Sequence, residues 1–301
     1  MTTGYALIVL AACFWGGSTS FGKHLLESGV STMALMEMRS VVSGAIVLGV
    51  LAAVAPGRLR VRARELPTLV VAGVLFALVN LTYYEAIKRL PIATAVFIQF
   101  TAPAMIFVVG IATGRERAGA GTAAALVLSM AGTYLMLGGA PTAVRALPIA
   151  GLAAAFASAV TYAASVMLSH RLARRLPTMT VVAYVWTFAA LFWAAVESVP
   201  DTLHDLRAAN LLGATVVFAG VSMLIPLPLF MLGIGRVSAT GGAIASSSET
   251  VAASLIAFLA LGERLRLAQM VGGALILTAV LLLATRPESA DADAGSQNRG
   301  V

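Results

Sequence analysis

Residues 238–261 read SATGGAIASSSETVAASLIAFLAL, and Glu249 is their only charge. As a helix rising about 1.5 Å per residue, a stretch of this length exceeds the roughly 30 Å hydrocarbon core of a bilayer. At its centre stands SSSET (246–250). A carboxylate there needs a partner or polar surroundings, whether it lies in a soluble core or in lipid. The rest of the chain decides which of the two it is.

The chain has 301 residues, 59% of them hydrophobic and 11% charged, with a mean hydropathy of +0.93. Ordinary soluble domains are about 25% charged. Charge-free runs recur at 1–22, 90–114, 118–144, 176–196, 208–235 and 267–285. Each has the roughly 20 residues needed to span a bilayer, so the chain reads as an all-α, polytopic membrane protein. The net charge of +7 sits mainly between the apolar runs, as in RLRVRARE (58–65) and HRLARR (170–175). That is how short cytoplasmic loops are charged, and no nucleic-acid partner is expected. Cys13 is the only cysteine, so an intrachain disulfide is excluded and a Cys-based metal site is not expected. LAAC (10–13) resembles a lipoprotein cleavage box, but no Lys or Arg precedes it and FWGGSTSFG continues the helix. The reading keeps residues 4–22 as the first span. No Walker A, His–Glu metal or nucleophile-elbow motif occurs, so no metal, cofactor or enzymatic activity is expected.

Charges and Pro/Gly breaks divide the chain into ten spans, near 4–22, 33–55, 67–86, 90–113, 119–139, 148–168, 180–199, 210–233, 238–261 and 267–285. PESADADAGSQNRGV (287–301) then reads as a disordered tail. With the N-terminus in the cytoplasm, the cytoplasmic loops and tail carry 12 Lys and Arg against 7 in the opposite loops. Both termini are therefore expected inside. A single offset of 147 residues also aligns the two halves. GRER (114–117) falls on LGER (261–264), AIKRLPIATA (86–95) on GIGRVSATGG (233–242), and WGGSTSFGKHL (15–25) on YAASVMLSHRL (162–172). Five spans per copy is an odd number, so the second copy enters the membrane from the opposite side. The expected architecture is two inverted five-helix repeats, 1–147 and 148–286, which is the arrangement of carriers that alternate access around a midplane site.

The opening FWGGSTSFGK, the block YYEAIKRLPIATAVFIQFTAP and the closing LGERL resemble the EamA-type members of the drug/metabolite transporter superfamily. The resemblance covers roughly residues 4–285. It implies ten helices in two EamA units, the inner membrane of a bacterium, and export of small metabolites, amino acids above all. One departure stands out. Many relatives have Glu-Pro where this chain has Glu249-Thr250, while the equivalent Ala102-Pro103 of the first half keeps the proline and lacks the acid.

A central cavity calls for small, polar and aromatic side chains on inward faces. Ser158, Thr161, Tyr162, Ser165 and Ser169 share one stripe, and Tyr162 is the candidate because it pairs with Trp15 across the repeat. The other hydroxyls fit equally well as partners of their own helix carbonyls. Asn80 and Tyr84 share a face with Tyr83, although the two tyrosines also suit an interfacial aromatic belt. Gln99 lies mid-membrane beside Thr101, with Pro103 a kink site. Trp186 faces the cavity in this reading, whereas Trp193 and Glu197 read as interface anchors. Glu37 and Arg39 point about 200° apart on a helix, so they are not a pair. Arg39 either snorkels to the headgroups or meets a substrate carboxylate.

Ser246 and Glu249 complete the candidate set. Glu249 should face the bundle interior, where it binds a substrate ammonium, carries a proton, or is bonded structurally to a neighbouring helix. The three serines would solvate the carboxylate or cap a helix break. The expected function is secondary export of small zwitterionic or amphipathic metabolites by a monomer whose partners are the solute and the lipid. Drug export and uptake or exchange stay open as alternatives.

Overall fold

In a bilayer no water satisfies the backbone, so every N–H and C=O must bond within its own segment, and helices are the outcome. The computed structural model describes residues 2–116, 119–138, 147–196, 198–261 and 265–285, and all regular structure among them is helical. The first half contains α1 (Thr2–Glu27), α2 (Thr32–Val54), α3 (Leu66–Ile87), α4 (Ile92–Gln99), α5 (Ala102–Ala112) and α6 (Ala120–Met136). The second contains α7 (Ile149–Ala173), α8 (Thr178–Ala194), α9 (Val199–Ala208), α10 (Leu212–Ala219), α11 (Pro226–Ile234), α12 (Ala239–Ser246), α13 (Ser248–Leu261) and α14 (Leu267–Ala284).

Among the described residues, seven segments are long and apolar enough to cross a membrane: Thr32–Val54, Ala63–Ile87, Ile92–Ala112, Ile149–Ala173, Leu212–Ile234, Ala239–Leu259 and Leu267–Ala284. The bent pair α8 and α9 makes an eighth if taken as one span. The Thr2–Ser18 stretch of α1 and helix α6 (Ala120–Met136) are apolar too. Many large apolar side chains are exposed on the outer surface. Val54, Ile149, Leu259 and Leu267 are each more than 70% exposed, which a soluble protein would not tolerate over so many positions. These side chains meet lipid.

Three segments are broken among the described residues. Pro103 lies in the first turn of α5, where its missing N–H costs nothing, and the chain breaks just before it at Phe100–Thr101. The segment of α12 and α13 breaks at Ser247 without a proline. Gly220–Leu224 forms a π-turn ahead of Pro226, as expected where a proline cannot complete the ladder.

Small residues bring the backbones together. A Cβ added to Gly132 would lie 2.6 Å from the Gly272 carbonyl oxygen, so α6 and α14 touch at the main chain. One added to Gly16 would lie 2.6 Å from the carbonyl oxygen of Glu249, which fixes α1 against α13. Two further contacts recur at the sequence offset. Gly4 packs on Arg236 and Val237, and Gly151 packs on Arg89 and Leu90; each residue of the first set is 147 positions from its counterpart. Likewise Arg39 donates to the Met223 sulfur, and Trp186 packs edge-on to Phe76, again 147 apart at both positions.

Two expectations are corrected. Residues 199–208 form α9, which turns 86° from α8 rather than running as a loop; Asp201, His204, Asp205 and Arg207 keep it out of hydrocarbon. Trp193 is no interface anchor, because it is 1% exposed and packs edge-on to Phe192. Glu197, Glu263, Arg264 and the tail 287–301 lie outside the described residues.

Candidate functional site

The break at Ser247 gives α13 its own N-terminus, and Glu249 falls in its first turn. A carboxylate is favoured there by the free N–H groups and the positive end of the helix dipole. The serines act differently from the expectation that they solvate the acid. Ser246 Oγ donates to the Gly242 carbonyl (3.0 Å), Ser247 Oγ to Ile244 (2.6 Å) and Ser248 Oγ to Ala245 (2.7 Å). Thr250 Oγ1 donates to Ser247 O (2.8 Å). Such back-bonding satisfies hydroxyls in an apolar segment and competes with the regular ladder, which suits a break made without proline. Ser247 Oγ also shares a hydrogen bond of 2.9 Å with Ser129 Oγ of α6.

Glu249 faces inward. Its carboxylate interacts through space with Arg39 of α2, Tyr83 and Tyr84 of α3 and Tyr162 of α7. It remains half-buried, with no described side chain hydrogen-bonded to it. Among the described residues, Arg39 is held by soft groups only. Nη1 donates to Met36 Sδ (3.3 Å), Nη2 to Met223 Sδ (3.4 Å), and the guanidinium lies 5.5 Å from the Phe218 ring centroid. Its Nε is buried without a partner. Thioethers are weak acceptors, and an aromatic face attracts a cation without replacing a carboxylate. Among the described residues, neither charge makes an ion pair.

The predicted residues divide into two groups. Tyr84, Tyr162 and Glu249 come together, and Ser246 joins them because its side chain reaches the Tyr162 hydroxyl. Tyr162 also faces Phe100 across the α4–α5 break (6.5 Å). Trp15 is half-buried and packs on Phe230 (5.6 Å). Gln99 is tied up across helices, its Nε2 donating to Ser158 Oγ (2.7 Å). Asn80 Nδ2 donates to the Phe76 carbonyl of its own helix (2.8 Å). Trp186 does not reach the group: it is 0% exposed, wedged against Phe76 at 4.8 Å. Arg39 and Tyr83 belong to the cluster although the sequence left both ambiguous. The available signal was Arg39 itself, a cation inside an apolar span, which rarely faces lipid.

The EamA-like transporter family matches residues 2–138 and again 149–285. The uncharacterized inner membrane transporter YicL of Salmonella typhimurium is 24% identical over 93% of this chain and 94% of its own. An uncharacterized transporter of Archaeoglobus fulgidus is 29% identical over 94% of this chain and 96% of its own. YwfM of Bacillus subtilis, also an uncharacterized transporter, is 24% identical over 94% of each. A solved crystal structure, 21% identical, superposes with a TM-score of 0.72 over 92% of this chain and 95% of that one, which establishes a shared fold.

Proposed function

This chain belongs to the EamA-like transporter family, a multi-pass membrane carrier rather than an enzyme, and we propose that it exports small zwitterionic or amphipathic metabolites, amino acids foremost. The observation that carries this reading is the inward cluster of Glu249, Arg39, Tyr83, Tyr84 and Tyr162. It offers both signs of charge and aromatic surface at one place, drawn from four helices of both halves. A solute with a polar end and an apolar end finds complementary groups there.

The working architecture is ten spans in two inverted repeats, rocking around that cluster. The recurrence of the Gly4 and Gly151 contacts at an offset of 147 supports it. So does the recurrence of the span breaks at Phe100–Thr101 and Ser247. Residues 1–147 and 148–286 are the two units, and the protein works as a monomer in a bacterial inner membrane without nucleic acid. Both termini are cytoplasmic. In a Cys13→Ala background, cysteines placed at Arg60 and Gly295 should resist an impermeant thiol reagent in intact cells; ready labelling of both would reverse the topology.

Flux of radiolabelled amino acids, other metabolites and cationic dyes from proteoliposomes, with and without a pH gradient, tests the function. Saturable amino-acid flux is expected. Saturable flux of the dyes alone would overturn the metabolite reading.

A further inference from the structure

The two charges of the central cluster are each present in one half only. At the offset of 147, Arg39 corresponds to Trp186, and Glu249 corresponds to Ala102. The Trp186 position is filled by packing, with its ring enclosed against Phe76. The Arg39 position instead holds a cation among two methionines and a phenylalanine, with no carboxylate in contact among the described residues. Glu249 likewise has no donor among the described residues. Helix α1 links the two sites, because Gly16 packs on the Glu249 backbone while Gly22 and Phe21 pack on the Phe218 ring that faces Arg39; Tyr84 interacts with both charges. A charge in the membrane interior is costly unless it is paired or hydrogen-bonded. Two opposite charges, supplied from the two halves and left unpaired near one another, satisfy that requirement when a third body bridges them.

We infer that Arg39 and Glu249 form a two-point clamp for a zwitterion: Arg39 takes its carboxylate, Glu249 takes its ammonium group, and the tyrosine rings face the apolar remainder. The guanidinium presents a planar fork that matches a carboxylate, and Glu249 supplies acceptors for an ammonium. The clamp rests on the exporter reading and narrows it, because an amphipathic solute carrying one charge would leave the other charge unanswered.

The experiment uses the full chain in proteoliposomes and measures competition against radiolabelled L-leucine or L-phenylalanine. The competitors are the parent amino acid, its amine analogue (isoamylamine or phenethylamine) and its acid analogue (isocaproate or hydrocinnamate). Each parent should compete roughly 10- to 100-fold better than either analogue, the range of one charge-assisted hydrogen bond or two. Arg39→Gln should abolish the preference over the amine analogue and keep that over the acid. Glu249→Gln should do the reverse, and Arg39→Lys should retain part of the first preference. A merely structural role for either residue would lower both preferences together or neither, and that result overturns the clamp. Equal competition by parent and analogues in the unaltered protein overturns it without any variant. Saturable flux of singly charged or neutral solutes, without preference for zwitterions, removes the clamp and leaves an exporter. Absence of flux for every small solute removes the exporter reading and the clamp together.

Discussion

The broken segment of the first half and that of the second bend at equivalent positions through different chemistry. Between α4 and α5 the cause is Pro103, and the neighbouring Ala102 is uncharged and buried. Between α12 and α13 there is no proline. Three serines bonded to their own carbonyls accompany the break, and Glu249 takes the place of Ala102. The same contrast holds for Trp186 and Arg39, whose equivalent sites carry a packed ring and a guanidinium held by methionine sulfurs. At each equivalent pair, one half fills the position with an apolar side chain and the other half places a charge there.

The largest expected effect tests this contrast directly. Trp186→Ala should lower the unfolding free energy in detergent by about 3–5 kcal/mol, since it empties a site enclosed on all sides. Arg39→Met should change stability by only ~1 kcal/mol, because a buried charge can be exchanged for an apolar side chain at little cost. It should nevertheless lower amino-acid transport roughly 10- to 100-fold at normal membrane levels. Similar losses of stability in the two variants would mean that Arg39 is structural and would dissolve the contrast.

Intermediate effects are expected at the glycines of the recurring contact. A side chain on Gly4 begins 2.7 Å from Val237 Cγ1, and one on Gly151 begins 2.9 Å from Leu90 Cδ2. Gly4→Leu and Gly151→Leu should each cost about 1–3 kcal/mol by overpacking. Thermal unfolding should find the two penalties alike, and a clear inequality would show that the two contacts are not equivalent. The smallest effect belongs to Ser247. Ser129→Ala removes its inter-helix hydrogen bond and should cost about 0.6–1 kcal/mol, the usual worth of such a bond in a membrane. Transport should persist. If transport were lost with the fold intact, the break at Ser247 would be part of the moving machinery rather than of its frame.

Several features of the site were readable in the chain. The inward direction of Glu249 followed from the cost of exposing an acid to lipid, and its carboxylate does interact with α2, α3 and α7. Tyr162 was singled out by its pairing with Trp15 across the offset, and it borders the cluster. The surroundings of Asn80 and Trp186 were not readable, for a physical reason. In a membrane protein the lipid-facing and core-facing sides of a helix are both apolar, so side-chain periodicity does not reveal which face is which. A polar group in such a helix can turn to its own carbonyl, as Asn80 does to Phe76. An indole can be wholly enclosed, as Trp186 is.

The sequence by itself determined the membrane class, the apolar segments, the family resemblance and the isolation of Glu249, because the hydrophobic effect and the cost of a buried charge act on composition along the chain. Only the tertiary structure decided that Arg39 turns inward among Met36, Met223 and Phe218 rather than snorkelling to the headgroups. The same holds for the three serines, which bond their own helix rather than the acid beside them. Those choices depend on how closely neighbouring helices approach, and that distance is set by small residues such as Gly16 against α13, far from the side chains whose directions they fix.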